Sequence, residues 1–310
     1  MSGAVFIVGS INADMVMQLP RLPRAGETAL GGTFLQTQGG KGANQAVGSA
    51  RLGRATALVA AVGSDQLGRM AVRDLQNAGV DVSAVATTNT STGIALVLVD
   101  PDGTNLIGVA PGANACLRGA AVQQELERRL TPGDVVVASL EVRDDAVLAA
   151  AKAAGTCGAR FVLNPAPARL LDRDLLARCD VLTPNEIEVA DLGYPAPADL
   201  LGAGVDALIV TRGAQGADLY RLGKDVLHQE AFAVDVVDTT GAGDAFTSAL
   251  AAALAVDEPI ESALRSAVAA GSLATRALGA RAGYATADEV AGALVDGRGG
   301  RQYVRGAEGI

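Results

Sequence analysis

Asp238-Thr-Thr-Gly-Ala-Gly-Asp-Ala-Phe-Thr-Ser-Ala-Leu250 reads as a glycine-rich turn that opens a helix. The preceding run, Phe232-Ala-Val-Asp-Val-Val237, is apolar and extended in pattern, and Ala245 to Ala255 after it is strongly helix-forming. Gly241 and Gly243 permit backbone angles closed to other residues, so successive N–H groups can point at one spot. That spot lies at the positive end of a helix, where an anion is favoured. Asp244 stands beside it. A carboxylate there repels a bound phosphate, unless its task is to take a proton from an attacking hydroxyl. An Asp at a helix start is equally an ordinary cap. This stretch alone leaves both roles open.

The rest of the chain narrows the setting. With 310 residues, 49% apolar but only 3% aromatic and no Trp, the interior must be built from Ala, Val and Leu. The 38 glycines are spread along the chain, which suits many tight turns. A formal net charge of −9 argues against a nucleic-acid or anionic-membrane partner, although backbone amides can still bind an anion locally. His228 is the single histidine, which excludes His-based triads and His-rich metal sites. Cys116, Cys157 and Cys179 lack pair spacing and read as thiols of a reducing compartment. No run is long and apolar enough to span a bilayer and no basic leader begins the chain, so a cytoplasmic protein is expected.

Ala4-Val-Phe-Ile-Val-Gly9 is a continuous apolar run, as in a strand buried on both faces of a parallel sheet. Ser10 to Asp14 follows at its C-terminal end, where open α/β sheets place ligand contacts, so Asn12 and Asp14 are either turn formers or hydroxyl binders. Met15 to Leu19 and Ala29 to Gln36 are short strand-like runs outside the main sheet. Gln38-Gly-Gly-Lys-Gly-Ala-Asn-Gln45 is a second glycine-rich turn, leading into a helix over Ala46 to Leu52, with Lys41 and Asn44 as polar heads. The Gly-Lys-Ser/Thr order of a P-loop is missing, but lysine is scarce here (Lys41, Lys152 and Lys224), which favours a ligand contact at Lys41. Asp65 caps a helix ending near Asn77, and Val82 to Ala86 is a short strand. Pro101-Asp-Gly103 joins Ile94–Val99 to Asn105–Ala110 as a hairpin. Ala95 and Val97 on that hairpin face either a cleft or its own packing.

From Ala120 onward strands alternate with helices, which predicts a mostly parallel sheet covered on both sides. Polar residues collect at successive strand ends: Glu141, Asn164, then Asn185 with Glu188, then Thr211-Arg-Gly-Ala-Gln-Gly216. Asn185 and Glu188 are one helical turn apart, so they form either a solvated face or a hard-ligand pair beside a hydrated Mg²⁺ and a nucleotide.

Together these stretches resemble the ribokinase family of carbohydrate kinases, from Val5 to about Thr286. Both family signatures are present, Gly39-Gly-Lys-Gly-Ala-Asn-Gln-Ala46 and Asp238-Thr-Thr-Gly-Ala-Gly-Asp244, and Gly9-Ser-Ile-Asn-Ala-Asp14 and Leu163-Asn-Pro-Ala-Pro-Ala168 match as well. The resemblance implies a three-layer α/β/α sandwich with a mostly parallel central sheet and a small β-sheet lid. The main α/β domain would take residues 1–13, 38–92 and 112–296, the lid 14–37 and 93–111, and a flexible tail 297–310. The activity implied is ATP-dependent phosphorylation of D-ribose at its 5-hydroxyl. Asp244 would be the base, and the backbone of Gly241, Ala242 and Gly243 the anion hole. Asn12, Asp14, Gly40, Lys41, Asn44 and Glu141 match the sugar positions, with Ala95 and Val97 from the lid. Asn185, Thr211, Gly213, Gly216 and Gly243 would meet the nucleotide, and Asn185 and Glu188 would reach Mg²⁺ through water. A K⁺ site would use Asp238, Thr240, Gly279 and Gly283, with Gly283 standing where a Ser is common. A homodimer paired through the lids is also implied.

Overall fold

The computed structural model describes residues 3–295 and 300–305. The first third of the chain runs β1 (Val5–Val8), β2 (Asn12–Gln18), β3 (Thr33–Gly39), α1 (Lys41–Arg51), β4 (Thr56–Gly63), α2 (Gln66–Asn77), β5 (Val85–Thr88), β6 (Gly93–Val99) and β7 (Asn105–Ala110). The middle contains α3 (Gly119–Arg129), β8 (Val135–Ser139), α4 (Asp144–Cys157), β9 (Arg160–Asn164), α5 (Arg173–Leu176), β10 (Val181–Leu182), α6 (Glu186–Asp191), α7 (Pro197–Gly202) and β11 (Ala207–Thr211). The hairpin β12 (Ala217–Arg221) and β13 (Val226–Gln229) follows, then α8 (Ala242–Leu254), α9 (Ile260–Ala274), α10 (Ala287–Val295) and β14 (Gln302–Arg305).

The main sheet has the order β14-β13-β12-β11-β10-β9-β8-β1-β4-β5, parallel from β11 to β5 and antiparallel at the β12–β14 edge. Alternation along its strands builds two cores. In β1, Val5 and Ile7 pack with α1, α8 and α9, whereas Phe6 and Val8 pack with α3 and α4. The result is the expected α/β/α sandwich. A separate sheet, in the order β3-β2-β6-β7, stands off this body.

Several local expectations change. Asn12 and Asp14 lie on strand β2 rather than in a turn, because β2 pairs with both β3 and β6. Helix α1 starts at Lys41, five residues before the expected Ala46, and so takes the second glycine motif into its first turn. The run from Phe232 to Val237 forms no strand: β14 occupies the free edge of β13, and the run is bonded instead to the end of α9 through Ser272 and Thr275. That same pairing corrects the flexible tail, since Gln302–Arg305 is ordered as β14 with Tyr303 against His228, 5.1 Å between ring centres. The tail's residues 297–299 and 306–310 lie outside the described residues.

Helices α1 and α8 cross at very close range. A Cβ on Gly48 would lie 2.4 Å from Ser248 Oγ and 2.7 Å from its Cβ, so only glycine fits. Ser248 Oγ donates across the crossing to the Gln45 carbonyl at 3.0 Å. The alanines of α8 let it bury nearly its whole surface between the sheet, α1 and α9. We expect Gly48→Ala to lower stability by about 1–3 kcal/mol through overpacking, read from urea midpoints at unchanged slope. Gly155→Ala, on an exposed stretch of α4 with open space around the new methyl, should instead add about 0.5–1 kcal/mol through helix propensity.

Candidate active site

One turn before the crossing, Asn44 and Gln45 on α1 meet Asp244 on α8. Asn44 Nδ2 donates to Asp244 Oδ2 at 2.9 Å, and Gln45 Nε2 donates to Asp244 Oδ1 at 3.0 Å. Asp244 is buried, and its side chain accepts no bond from its own helix; the cap position belongs to Gly241. The helix-cap reading of Asp244 is therefore wrong, and what remains is a desolvated carboxylate held by two amides.

Gly241 adopts φ +78°, and a Cβ there would sit 2.2 Å from the Ala280 carbonyl oxygen. The Ala242 N–H turns back to the Thr239 carbonyl at 3.2 Å. The N–H groups of Gly241, Gly243 and Asp244 have no acceptor among the described residues. The open donors at this helix start are thus shifted from the expected set: Asp244 replaces Ala242. They fit an anion, as open donors at the positive end of a helix.

A cavity of ≈ 200 Å³ opens in front of them, lined by Lys41, Asn164, Thr183, Glu188, Thr211 and Asp244 among others. Lys41, at the first position of α1, has its ammonium pKa raised mainly by Asp244; burial opposes this, and Glu141 and Glu188 add to it. Asn185 and Glu188 line the same cavity, as their spacing suggested, with Asn185 at the N-cap of α6 rather than inside the helix. They form a capping box, Asn185 Oδ1 accepting from the Glu188 N–H at 2.7 Å and Glu188 Oε2 from the Asn185 N–H at 2.8 Å. Burial raises the Glu188 carboxyl, against the Asn185 N–H and Lys41. Thr211 pairs with Asn185 at the neighbouring strand end. Gly213 (φ +53°) and Gly216 (φ +95°) shape the turn into β12 and lie outside the cavity lining.

On the other side of Asp244 lies the root of the small sheet. Glu141 Oε2 accepts from the Lys41 N–H at 3.0 Å and from Ser10 Oγ. Asn12 Oδ1 is oriented by Asn114 Nδ2 at 2.8 Å. Gly40, at φ +88°, presses its α-carbon against Asn12; a Cβ would lie 2.7 Å from the Asn12 nitrogen. Ala95 and Val97 pair in register with Asp14 and Val16, so they share the Asp14 face. Burial and Glu141 push the Asp14 carboxyl up to about 6, with Arg281 pulling it down.

Asp238, expected at a K⁺ site, accepts from Thr240 N–H and Oγ1 (2.9 and 2.7 Å) on one oxygen and from Gly279 N–H (2.8 Å) on the other. Burial acts to raise its pKa, but these donors prevail and hold it low. A Cβ at Gly283 would lie 2.0 Å from the Ala274 carbonyl oxygen, so this backbone admits no Ser. Sequence reasoning missed Gln45, Asn114 and Arg281. Gln45 stood in the quoted motif beside Asn44; the other two come from distant segments and carry no local signal.

The pfkB family carbohydrate kinase model matches residues 3–287. The chain belongs to this family. It is a carbohydrate kinase by that match and by its relatives. It is 37% identical to the ribokinase of Bacillus subtilis over 289 residues (92% of this chain, 97% of the relative). It is 35% identical to that of Haemophilus influenzae over 294 residues (91% and 95%). A deoxyribokinase of Salmonella typhimurium is 32% identical over 297 residues (92% and 96%). The fold superimposes on the Arabidopsis thaliana ribokinase complexed with ribose and ATP with a TM-score of 0.85 at 32% identity (95% and 99% covered). For the ribokinase of Thermotoga maritima the TM-score is 0.86 at 30% identity (94% and 99%).

Because Gly241 needs positive φ and has no room for a methyl, Gly241→Ala in this kinase should cost at least about 1–2 kcal/mol from backbone strain alone. Thermal melting should show the loss, and sugar-dependent ADP release should fall far more than the melt does, since the donors at the start of α8 would be displaced.

Proposed function

We propose that the protein is an ATP-dependent ribokinase that transfers the γ-phosphoryl group of ATP to the 5-hydroxyl of D-ribose. The observation that carries this reading is the placement of Asp244 at the wall of the cavity before the start of α8, held by Asn44 and Gln45 from the helix that begins at the small-sheet root. In the proposed reaction the ribose rests on Asn12, Asp14, Gly40, Lys41, Asn44 and Glu141, with Ala95 and Val97 above. Asp244 takes the proton from the 5-hydroxyl as that oxygen bonds to the γ-phosphorus, and the bond to the bridging oxygen breaks to release ADP. The N–H groups of Gly241, Gly243 and Asp244, with the Lys41 ammonium, hold the charge spread over the transferred group; one such donor is worth about 10²–10³ in rate. Thr211, Gly213, Gly216 and Asn185 lie along the path of the nucleotide.

Mg²⁺, carried on the phosphates, would neutralise charge there, and Glu188 would be the carboxylate to hold it through water; one Glu188 oxygen remains outside the capping box. A K⁺ ion would rest on Asp238 and on backbone at Thr240, Gly279 and Gly283. The three donors already on Asp238 and the missing side chain at Gly283 leave that site the poorer fit. The lid face opposite Asp14 exposes Met17, Phe34, Leu96 and Leu106, which supports pairing of two lids into a homodimer. Cys116, Cys157 and Cys179 are all free thiols, which supports a cytoplasmic location.

A coupled ADP-release assay with Mg²⁺ tests the reading on ribose, 2-deoxyribose and fructose, each with and without K⁺. Ribose should be turned over best, and Asp244→Asn should lose about 10²–10⁴-fold or more in kcat while remaining folded. Faster turnover of 2-deoxyribose would favour the deoxyribokinase alternative, which the Salmonella relative raises. Near-normal turnover by D244N would remove Asp244 as the base.

A further inference from the structure

Arg281 reaches the sugar side of the cleft from the loop after α9, and nothing in the reaction described above uses it. Its Nε donates to Asn44 Oδ1 at 2.7 Å and its Nη2 to the Gly39 carbonyl at 3.2 Å. Its Nη1 meets Asp74 Oδ2 on α2 at 2.7 Å. The side chain is only 14% exposed. Gly39 sits under the Asp14 carboxylate, where a Cβ would come within 2.1 Å of an Asp14 oxygen. One guanidinium thus ties together the lid root below Asp14, the amide that holds Asp244, and α2.

A guanidinium can only donate and an ionised carboxylate can only accept. Asn44 lies between one of each, so its amide has a single satisfied orientation: oxygen to Arg281, nitrogen to Asp244. Flipping it would oppose donor to donor and acceptor to acceptor. The second Asn44 N–H is then left for a ligand hydroxyl.

We propose that Arg281 is a positioning residue for the sugar, presetting Asn44 and the Gly39–Asp14 lid root before a pentose hydroxyl arrives at Asp244. The inference rests on the sugar-kinase reading of this cleft. Arg281 also counters the carboxylates Glu141 and Asp244 that face Asp14; Lys41 is the other cation nearby, and buried Tyr284 faces both Arg281 and Asp244. The sign follows directly. With the Asp14 carboxyl near 6, its acceptor form is lost as pH falls through that value, and removing Arg281 takes away a lowering influence, so the loss should begin at higher pH.

The test compares R281Q, R281K and D74N with wild type for kcat, both KM values and the pH profile of kcat/KM for ribose from about pH 5 to 8. R281Q should raise the ribose KM by about tenfold or more, leave the ATP KM within about twofold, and move the acid limb upward. R281K should restore the acid limb but not the full ribose KM, because an ammonium lacks the planar fork. D74N should stay close to wild type in all of these. If R281Q and D74N instead lose only thermal stability, with ribose KM and acid limb unmoved, Arg281 is a loop tether and the proposal is overturned. If wild type turns over none of the three sugars, the ribokinase reading fails separately, and the side-chain amide resonance of Asn44 in nitrogen-labelled protein decides. It should shift in R281Q and recover in R281K; an unmoved resonance in R281Q overturns the proposal.

Discussion

The close crossing of α1 and α8 sets the geometry on which the rest of the molecule depends. With Gly48 against Ser248, the helices approach more closely than side chains normally permit, and each carries its own glycine turn at its N-terminus. Two positive helix ends are therefore delivered to one place, at the carboxyl edge of the parallel strands, where open α/β sheets bind their ligands. Asn44 and Asp244 each stand four residues before the crossing pair. Their contact follows from that packing: any loosening at Gly48 is transmitted directly to the Asp244 carboxylate. The alanine-rich, Trp-free composition is part of the same constraint, because bulky residues on α8 would hold α1, α9 and the sheet apart.

The cleft combines carboxylates with an anion site, two features that ordinarily repel. Asp244 and Glu188 line the cavity and Asp14 and Glu141 act on the same groups from the small-sheet root, while Lys41 and Arg281 are the cations set among them. The balance is divided in space. In the proposed reaction, backbone N–H groups and Lys41 would serve the phosphate side, and Arg281 the side beneath the small sheet. Asp244 lies between the two, which is where a base must stand if a hydroxyl from one side is to attack phosphorus on the other. A protein of net charge −9 can thus receive a polyanion, because the relevant charge is the local one.

Much of this was legible in the sequence. The uninterrupted apolar strands gave the parallel sheet, and the glycine turns marked where both helices follow, because φ-positive glycine leaves a local mark, although α1 begins five residues earlier than its composition suggested. Boundaries were less legible where tertiary pairing decides. Asn12 and Asp14 read as either turn formers or hydroxyl binders, and the turn alternative falls because β3 and β6 flank them as a strand. The Phe232–Val237 run has strand composition but no free edge to join, since β14 takes it. Asn185 and Glu188 were found by their spacing, and the capping box that links them is what holds both at one cavity. Arg281 and Asn114 act across 237 and 103 residues of chain, and nothing local distinguishes them from surface polar residues.

The central claim is that Asp244 receives the proton of a primary hydroxyl presented from beneath the lid. Phosphorus NMR of the product formed from ribose and ATP tests this most directly, because it reads which oxygen was phosphorylated. A phosphomonoester signal split by the two protons of the terminal carbon, that of ribose 5-phosphate, is the result expected. A signal split by a single ring proton would mean that a different hydroxyl reaches Asp244, and would contradict the account.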